Sequence, residues 1–332
     1  MPEPVQPDHA PPDSLPAPSG ALNLTIAALA VALDATCLSV AAHGGPWVLP
    51  VAALGFAISN HALFLLMHEA VHGIFHRRRW INECAGSLLA ATFPQSFCLQ
   101  RAFHLSHHRN NRTDREFFDG YHPHDSLFLK RWQWYGILLG EYWLRVPVAC
   151  LLWLCCPWVL RAAVLRDRSS RAVTSFGGGD MLWSLDRVPP WRSRLEIICA
   201  IMVQILAWHV LGLTPLAWCA CYGAFALNWG AHQYATHAWS VREIRDGAWN
   251  LRVHPLLGLL QLNTYDHLVH HRQPRLPWHH LPRFRDPAIP GPTFWRQYLS
   301  LWRGPRPAWG ESPRPEEPQA DDPEALLRPV SG

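Results

Sequence analysis

Along the chain, long apolar runs alternate with blocks dense in histidine and arginine. The first run, about residues 21–42, and the second, about 47–67, are each long enough to cross a bilayer core of about 30 Å. Between them, His43-Gly44-Gly45-Pro46 reads as a turn. A third run, about 81–99, contains Asn82, Glu83, Pro94 and Gln95, which predicts a re-entrant or interfacial segment instead of a span. Residues 134–160 are interrupted by Glu141, Arg145 and Pro147 and flanked by basic residues, so an interfacial helix or a hairpin fits better than one crossing. Residues 169–190, with Gly177-Gly178-Gly179, read as a loop. Two further runs, about 195–211 and 216–231, are joined by the tight Gly212-Leu213-Thr214-Pro215 turn and predict a second membrane hairpin. From 232 to 302 the chain is polar and histidine-rich, with no span. The expected fold class is all-α and integral to the membrane: about four transmembrane helices in two hairpins, interfacial helices, and a histidine-rich cap.

Charge fixes the expected orientation. Arg77, Arg78 and Arg79 directly follow the second run, and the block 100–131 is basic as well. By the excess of Lys and Arg in cytoplasmic loops, both belong to the cytoplasmic side. The expectation is a multi-pass protein with its cap in the cytoplasm. The mean hydropathy of −0.04 conceals this segregation because both ends are polar and proline-rich. Residues 1–20 and 303–332 are expected to be disordered tails around one domain over 21–302, since such composition buries too little apolar surface to offset chain entropy. The first twenty residues lack the basic start of a signal peptide. A net charge of +4, with arginines beside apolar runs, suits anionic headgroups and excludes a nucleic-acid-binding stripe. The 18 Trp fit membrane-interface positions. Nine Cys without a CxxC pair read as reduced packing residues.

Three histidine clusters carry the chemistry. His68-Glu69-Ala70-Val71-His72 is an HxxxH at the end of the second run. Residues four apart on a helix share a face, about 5–6 Å apart, so both imidazoles can reach one metal centre. His104-Leu105-Ser106-His107-His108 and His267-Leu268-Val269-His270-His271 are both HxxHH. Adjacent histidines diverge by about 100° around a helix, which lets them serve two neighbouring metals. With 20 His in 332 residues, chance predicts about 0.07 HxxHH motifs in the chain, and there are two. Imidazole suits Zn, Cu, Fe and Ni alike. Eight or more donors exceed what one four-coordinate zinc needs, which points to two metals. Glu69, Asp114 and Asp266 stand beside these histidines and could accept from their rings. His61 reads as a satisfied buried group and His76 as a group near the metals or the headgroups. His237, His279 and His280 read as solvated surface histidines.

The order HxxxH, HxxHH, HxxHH between helical hairpins resembles the membrane fatty acid desaturase superfamily. His68 to Gly73 looks like its first box, and His104 to Arg109 with Thr113-Asp114 looks like its second. His267 to His271, followed by Pro274, Pro277-Trp278 and Leu281-Pro282, looks like its third. Asn228-Trp229-Gly230-Ala231-His232 is similar to a further family motif, in which the histidine is another iron ligand and the asparagine acts through water. The resemblance implies nine ligands: His68, His72, His104, His107, His108, His232, His267, His270 and His271. It also implies two irons, molecular oxygen, a lipid or acyl substrate, and an external donor such as ferredoxin or cytochrome b5. No haem or CxxC motif suggests a donor domain within the chain. The expected reaction is introduction of a double bond into an acyl chain. Alternatives are a hydroxylase or ketolase of a lipid, carotenoid or acyl substrate on the same scaffold, a zinc-dependent membrane hydrolase, and a metal transporter. A transporter would place ionisable residues along the middle of its spans, whereas the boxes gather at helix ends.

Overall fold

The computed structural model describes residues 15–114, 116–166 and 182–315. The expected tails over 1–14 and 316–332, and most of the expected loop at 169–190, lie outside the described residues. Almost all regular structure is helical. The first hairpin is α1 (Gly20–His43) and α2 (Leu49–Val71). Next come α3 (Arg79–Thr92) and α4 (Phe97–Asn110), the short strand β1 (Gly120–Tyr121), α5 (Leu127–Leu138) and α6 (Glu141–Cys155). The second hairpin is α7 (Pro190–Val210) and α8 (Pro215–Ala235). The short helices α9 (Pro255–Leu260), α10 (His267–Arg272) and α11 (Phe294–Leu301) and the strand β2 (Arg306–Pro307) complete the cap.

Helix starts follow the local sequence. Proline opens α7, α8 and α9, where its missing N–H costs nothing. Ser96, Ser126, Thr214 and Thr293 cap α4, α5, α8 and α11 by accepting a backbone N–H with their side chains. Among the described residues, α1, α2 and α7 are long and apolar enough to cross a membrane. The helix expected as the fourth span, α8, does form but is not among them. Instead α5 and α6, bent by 91° at their junction, qualify together as one broken span. That elbow needs Gly140, whose φ of +86° is open to glycine and whose missing Cβ would press on Ala226 of α8.

The central shaft is α2, two-thirds buried along its apolar stretch, while α1 and α7 keep most of theirs turned outward. Phe56, Leu63, Leu66 and Met67 of α2 anchor the main core with Phe93, Phe97 and Phe225. The two hairpin turns lie together at one end, since His43 packs against Gly212. The histidine clusters gather at the other end, as the sequence analysis required of boxes that share one site.

The cap is sewn by charge as well as by apolar contact. Arg112 and Asp119 form an ion pair of 2.8 Å with both side chains at 0% exposure. Asp119 also accepts from the Trp239 backbone N–H, and Arg112 donates to Ser240 O at 3.3 Å. Arg242 reaches back to Arg112 O and pairs with Asp114 at 2.7 Å. The block 100–131, polar and basic in sequence, is therefore largely buried over residues 101–120. Residues 303–315, assigned by composition to a tail, are docked on this clamp. Gly120 pairs with Arg306 in a two-stranded parallel ladder, Arg306 N donates to Asp119 O at 3.0 Å, and the Arg306 guanidinium lies 3.7 Å over the Trp239 ring. Backbone pairing and stacking on an aromatic face hold a segment that has little apolar surface of its own.

Removing one partner of a fully buried ion pair leaves an uncompensated charge. Asp119→Ala should therefore destabilise the protein by about 3–5 kcal/mol, read as a lower unfolding midpoint in detergent. The double change Arg112→Met with Asp119→Leu should recover part of that loss.

Candidate metal centre

Four segments far apart in sequence bring the imidazoles together. The last turn of α2 carries His68, and His72 sits at its C-cap. The position of α4, which carries His104, His107 and His108, is set at its N-terminus. There Glu196 of α7 accepts from Cys98 N at 2.9 Å and from the Ser96 hydroxyl at 2.7 Å, a carboxylate where the helix dipole favours one. The third cluster rides on α10, whose Val269 N–H is held by Asn250 Oδ1 at 3.2 Å and whose leading Asp266 pairs with Arg285. The fourth segment is the turn beyond α8, which carries His237.

The ring nitrogens form two groups. His68, His72, His104, His108 and His270 place one nitrogen each within 4.8 Å of the others, and His107, His237 and His271 do the same. The groups adjoin, since the rings of His108 and His271 stack at 4.4 Å. The divergence of adjacent histidines sends His108 and His270 to the first group and His107 and His271 to the second. His267 meets the second group through His237, Nε2 to Nε2 at 2.9 Å.

The ring nitrogens stand closer than their own hydrogen bonds can account for. His104 Nε2 lies 2.9, 2.8 and 2.9 Å from the Nε2 atoms of His68, His72 and His108. An imidazole nitrogen carries either one proton or one lone pair, so it cannot hydrogen-bond all three. His271 Nε2 is buried with no hydrogen-bond partner among the described residues. Burial, then the neighbouring histidines, hold His72, His104, His108, His270 and His271 well below the ordinary imidazole range. The rings are therefore neutral at neutral pH, with lone pairs available to a metal.

The supporting contacts differ from those expected. His107 Nδ1 meets Glu116 Oε2 at 2.6 Å, the carboxylate–histidine contact that orients a metal ligand. His237 Nδ1 donates to Gly247 O at 3.0 Å, which leaves its Nε2 unprotonated toward the group. Of the three acids singled out in sequence, Glu69 accepts from Trp278 N at 3.2 Å and so fixes the chain after the third cluster. Asp114 engages Arg242 at 2.7 Å, and Asp266 engages Arg285. Glu116 lies in a loop nine residues past His107, a spacing with no periodic signature.

Two histidine assignments change places. His237, read as solvated, is 3% exposed and belongs to the second group. His232 joins neither group: its Nε2 meets the Tyr265 hydroxyl at 2.9 Å, and its Nδ1 donates to Asn228 O at 2.9 Å. Asn228 in turn donates to His61 Nδ1 at 3.0 Å, so this trio forms its own buried polar cluster. The cause is helix length. Because α8 runs on to Ala235, His232 is still inside the helix, and the chain turns toward α10 only afterwards. His61 is buried and satisfied as expected, and His76 Nδ1 accepts from Arg78 N at 2.9 Å. His279 and His280 pack against each other outside both groups.

Comparison with known proteins gives one family: the description Fatty acid desaturase matches residues 44–303 of the 332. No curated protein matches the chain.

The geometry separates His237 from His232 experimentally. His237→Ala should lower the metal-to-protein ratio of the purified protein by about one ion, while His232→Ala should leave it unchanged; elemental analysis of both variants decides. Glu116→Gln should weaken metal retention against a chelator roughly 10–100-fold.

Proposed function

The chain belongs to the fatty acid desaturase family, and on that footing we propose that it is an oxygen-dependent di-iron membrane oxidoreductase that introduces a double bond into a fatty acyl chain or related lipid. The observation that carries the proposal is the pair of adjoining imidazole groups at the end of a bundle of apolar helices. Eight clustered imidazoles exceed the four ligands of a structural or hydrolytic zinc. Two irons bound there would supply the oxidising power to take hydrogen from an unactivated C–H bond. The overall reaction, R–CH2–CH2–R′ + O2 + 2e⁻ + 2H⁺ → R–CH=CH–R′ + 2H2O, balances when an external donor provides the two electrons. A ferredoxin or a cytochrome b5 has that chemistry.

The chain's own residues perform the remaining work. His68, His72, His104, His108 and His270 would hold one ion, and His107, His237 and His271 the other, with His267 beside them. Neutral imidazoles would leave bound metals their full charge, and the largely buried setting of the rings would limit the water that reaches them. Glu116 and Gly247 O lock the rings of His107 and His237. The arginines after α2 and in the cap support a cytoplasmic face for the centre, where a soluble donor can reach it.

Lipid profiles by mass spectrometry, with and without the expressed protein, test the reaction. Lipids two mass units lighter, lost with His271→Ala, are the expected result. Hydroxylated or oxo products would instead assign the hydroxylase or ketolase chemistry. About two irons per chain should accompany activity, and one zinc with oxygen-independent turnover would overturn the proposal. Impermeant labelling of single cysteines, in a background without the native nine, should reach positions 44 and 213 from outside. Positions 110 and 275 should react only after permeabilisation.

A further inference from the structure

Beyond Gly247, whose carbonyl holds His237, the chain turns away from the histidines and opens a cavity of about 510 Å³. Trp249, Arg252, residues 290–292 and one side of α11 wall it. Four arginines line it: Arg252, Arg296, Arg303 and Arg306. Among the described residues no acid lines it, and none of the four has an ion pair. Other cap arginines behave differently: Arg242, Arg272 and Arg285 each pair with an aspartate. The four guanidiniums are exposed and converge on one cavity, so their combined field favours an anion there.

The cavity is rigidly framed. Arg252 N donates to Pro292 O at 2.9 Å, and Phe294 N donates to Arg252 O at 3.0 Å. A Cβ on Gly291 would lie 1.5 Å from Asn250 O, so the two strands of wall are in backbone contact. Arg306 is held flat on Trp239. Guanidinium forks match the oxygens of a phosphate, and the framed backbone sets where they start.

A second, independent feature names the source of that phosphate. Along α11 and its cap, Arg296, Ser300 and Arg303 follow at i, i+4 and i+7 and face the cavity. The neighbouring stripe, Trp295, Leu299 and Trp302, repeats the same spacing and is turned outward, with Trp295 62% and Leu299 64% exposed. Phe294 and Leu301 are buried on the inner side. A cationic stripe beside an exposed Trp/Leu stripe is the pattern of a helix lying at a membrane interface.

We propose that the four-arginine cavity beside α11 binds the phosphate of an anionic membrane-lipid headgroup, with the Trp295–Leu299–Trp302 stripe seated among the lipid chains. The site is built from residues that make no part of either imidazole group, so it stands whether or not the oxidoreductase reading does. Native mass spectrometry of the full-length protein in neutral detergent reads it directly, titrating phosphatidylglycerol against phosphatidylcholine. The wild type should retain phosphatidylglycerol at least tenfold more tightly than phosphatidylcholine. Arg296→Gln with Arg303→Gln should erase that preference, given roughly tenfold or more for each lost charge-assisted contact. Both side chains are exposed, and an unchanged metal content verifies the fold; the single change Arg303→Gln should give an intermediate loss. Equal retention of the two lipids, or a preference that survives the double change, overturns the proposal. Binding of inorganic phosphate without a lipid preference overturns the headgroup assignment and gives the cavity to a soluble ligand.

Discussion

Imidazole nitrogens do not tolerate one another's company without something between them, and this chain packs eight of them into two adjoining groups. Each ring must be stripped of water, kept neutral and aimed at a common point, against its own rotamer entropy and the repulsion of its neighbours. The surrounding structure answers that demand. The central helix α2 is two-thirds buried along its apolar stretch and packed throughout its last turns, which steadies the end that carries His68 and His72. Glu196 pins the start of α4 from another helix, and the Arg112–Asp119 pair locks the loop behind it. The polar interior of the cap serves as the frame that holds the imidazoles convergent.

Much of this was legible in the sequence because helical periodicity is short-range. HxxxH and HxxHH state their geometry within one or two turns, and the alternation of apolar runs with basic blocks foretold two hairpins whose turns share an end. Illegible were the contacts made across long separations by residues with no periodic signature. Glu116 reaches His107 from a loop, and His237 enters the second group because α8 happens to stop at Ala235. His232 had the better motif, yet its ring lies outside both groups, bonded to Tyr265 and to Asn228 O. Composition misled at the end of the chain: residues 303–315 dock through backbone pairing that hydropathy cannot register.

Metal groups and arginine cavity divide the cap between them. The same stretch, 237–252, gives His237 to one side and Trp249 and Arg252 to the other. Trp249 N donates to Thr236 O at 2.8 Å and its indole to Ala238 O at 2.8 Å, so the stretch is folded back on itself and cannot move one face without the other. Anything that settles on the arginines bears on a wall that also carries an imidazole of the second group.

The parallel pairing of Gly120 with Arg306 has a consequence for how the molecule is made. A ribosome delivers Asp119 long before Trp239 and Arg306 exist to meet it, so the clamp stays open through most of synthesis. The hairpins can enter the bilayer in order as they emerge, but the cap closes only when nearly the last described residues arrive. The histidines of all four segments are thus made before the strand that closes over Asp119 and Gly120.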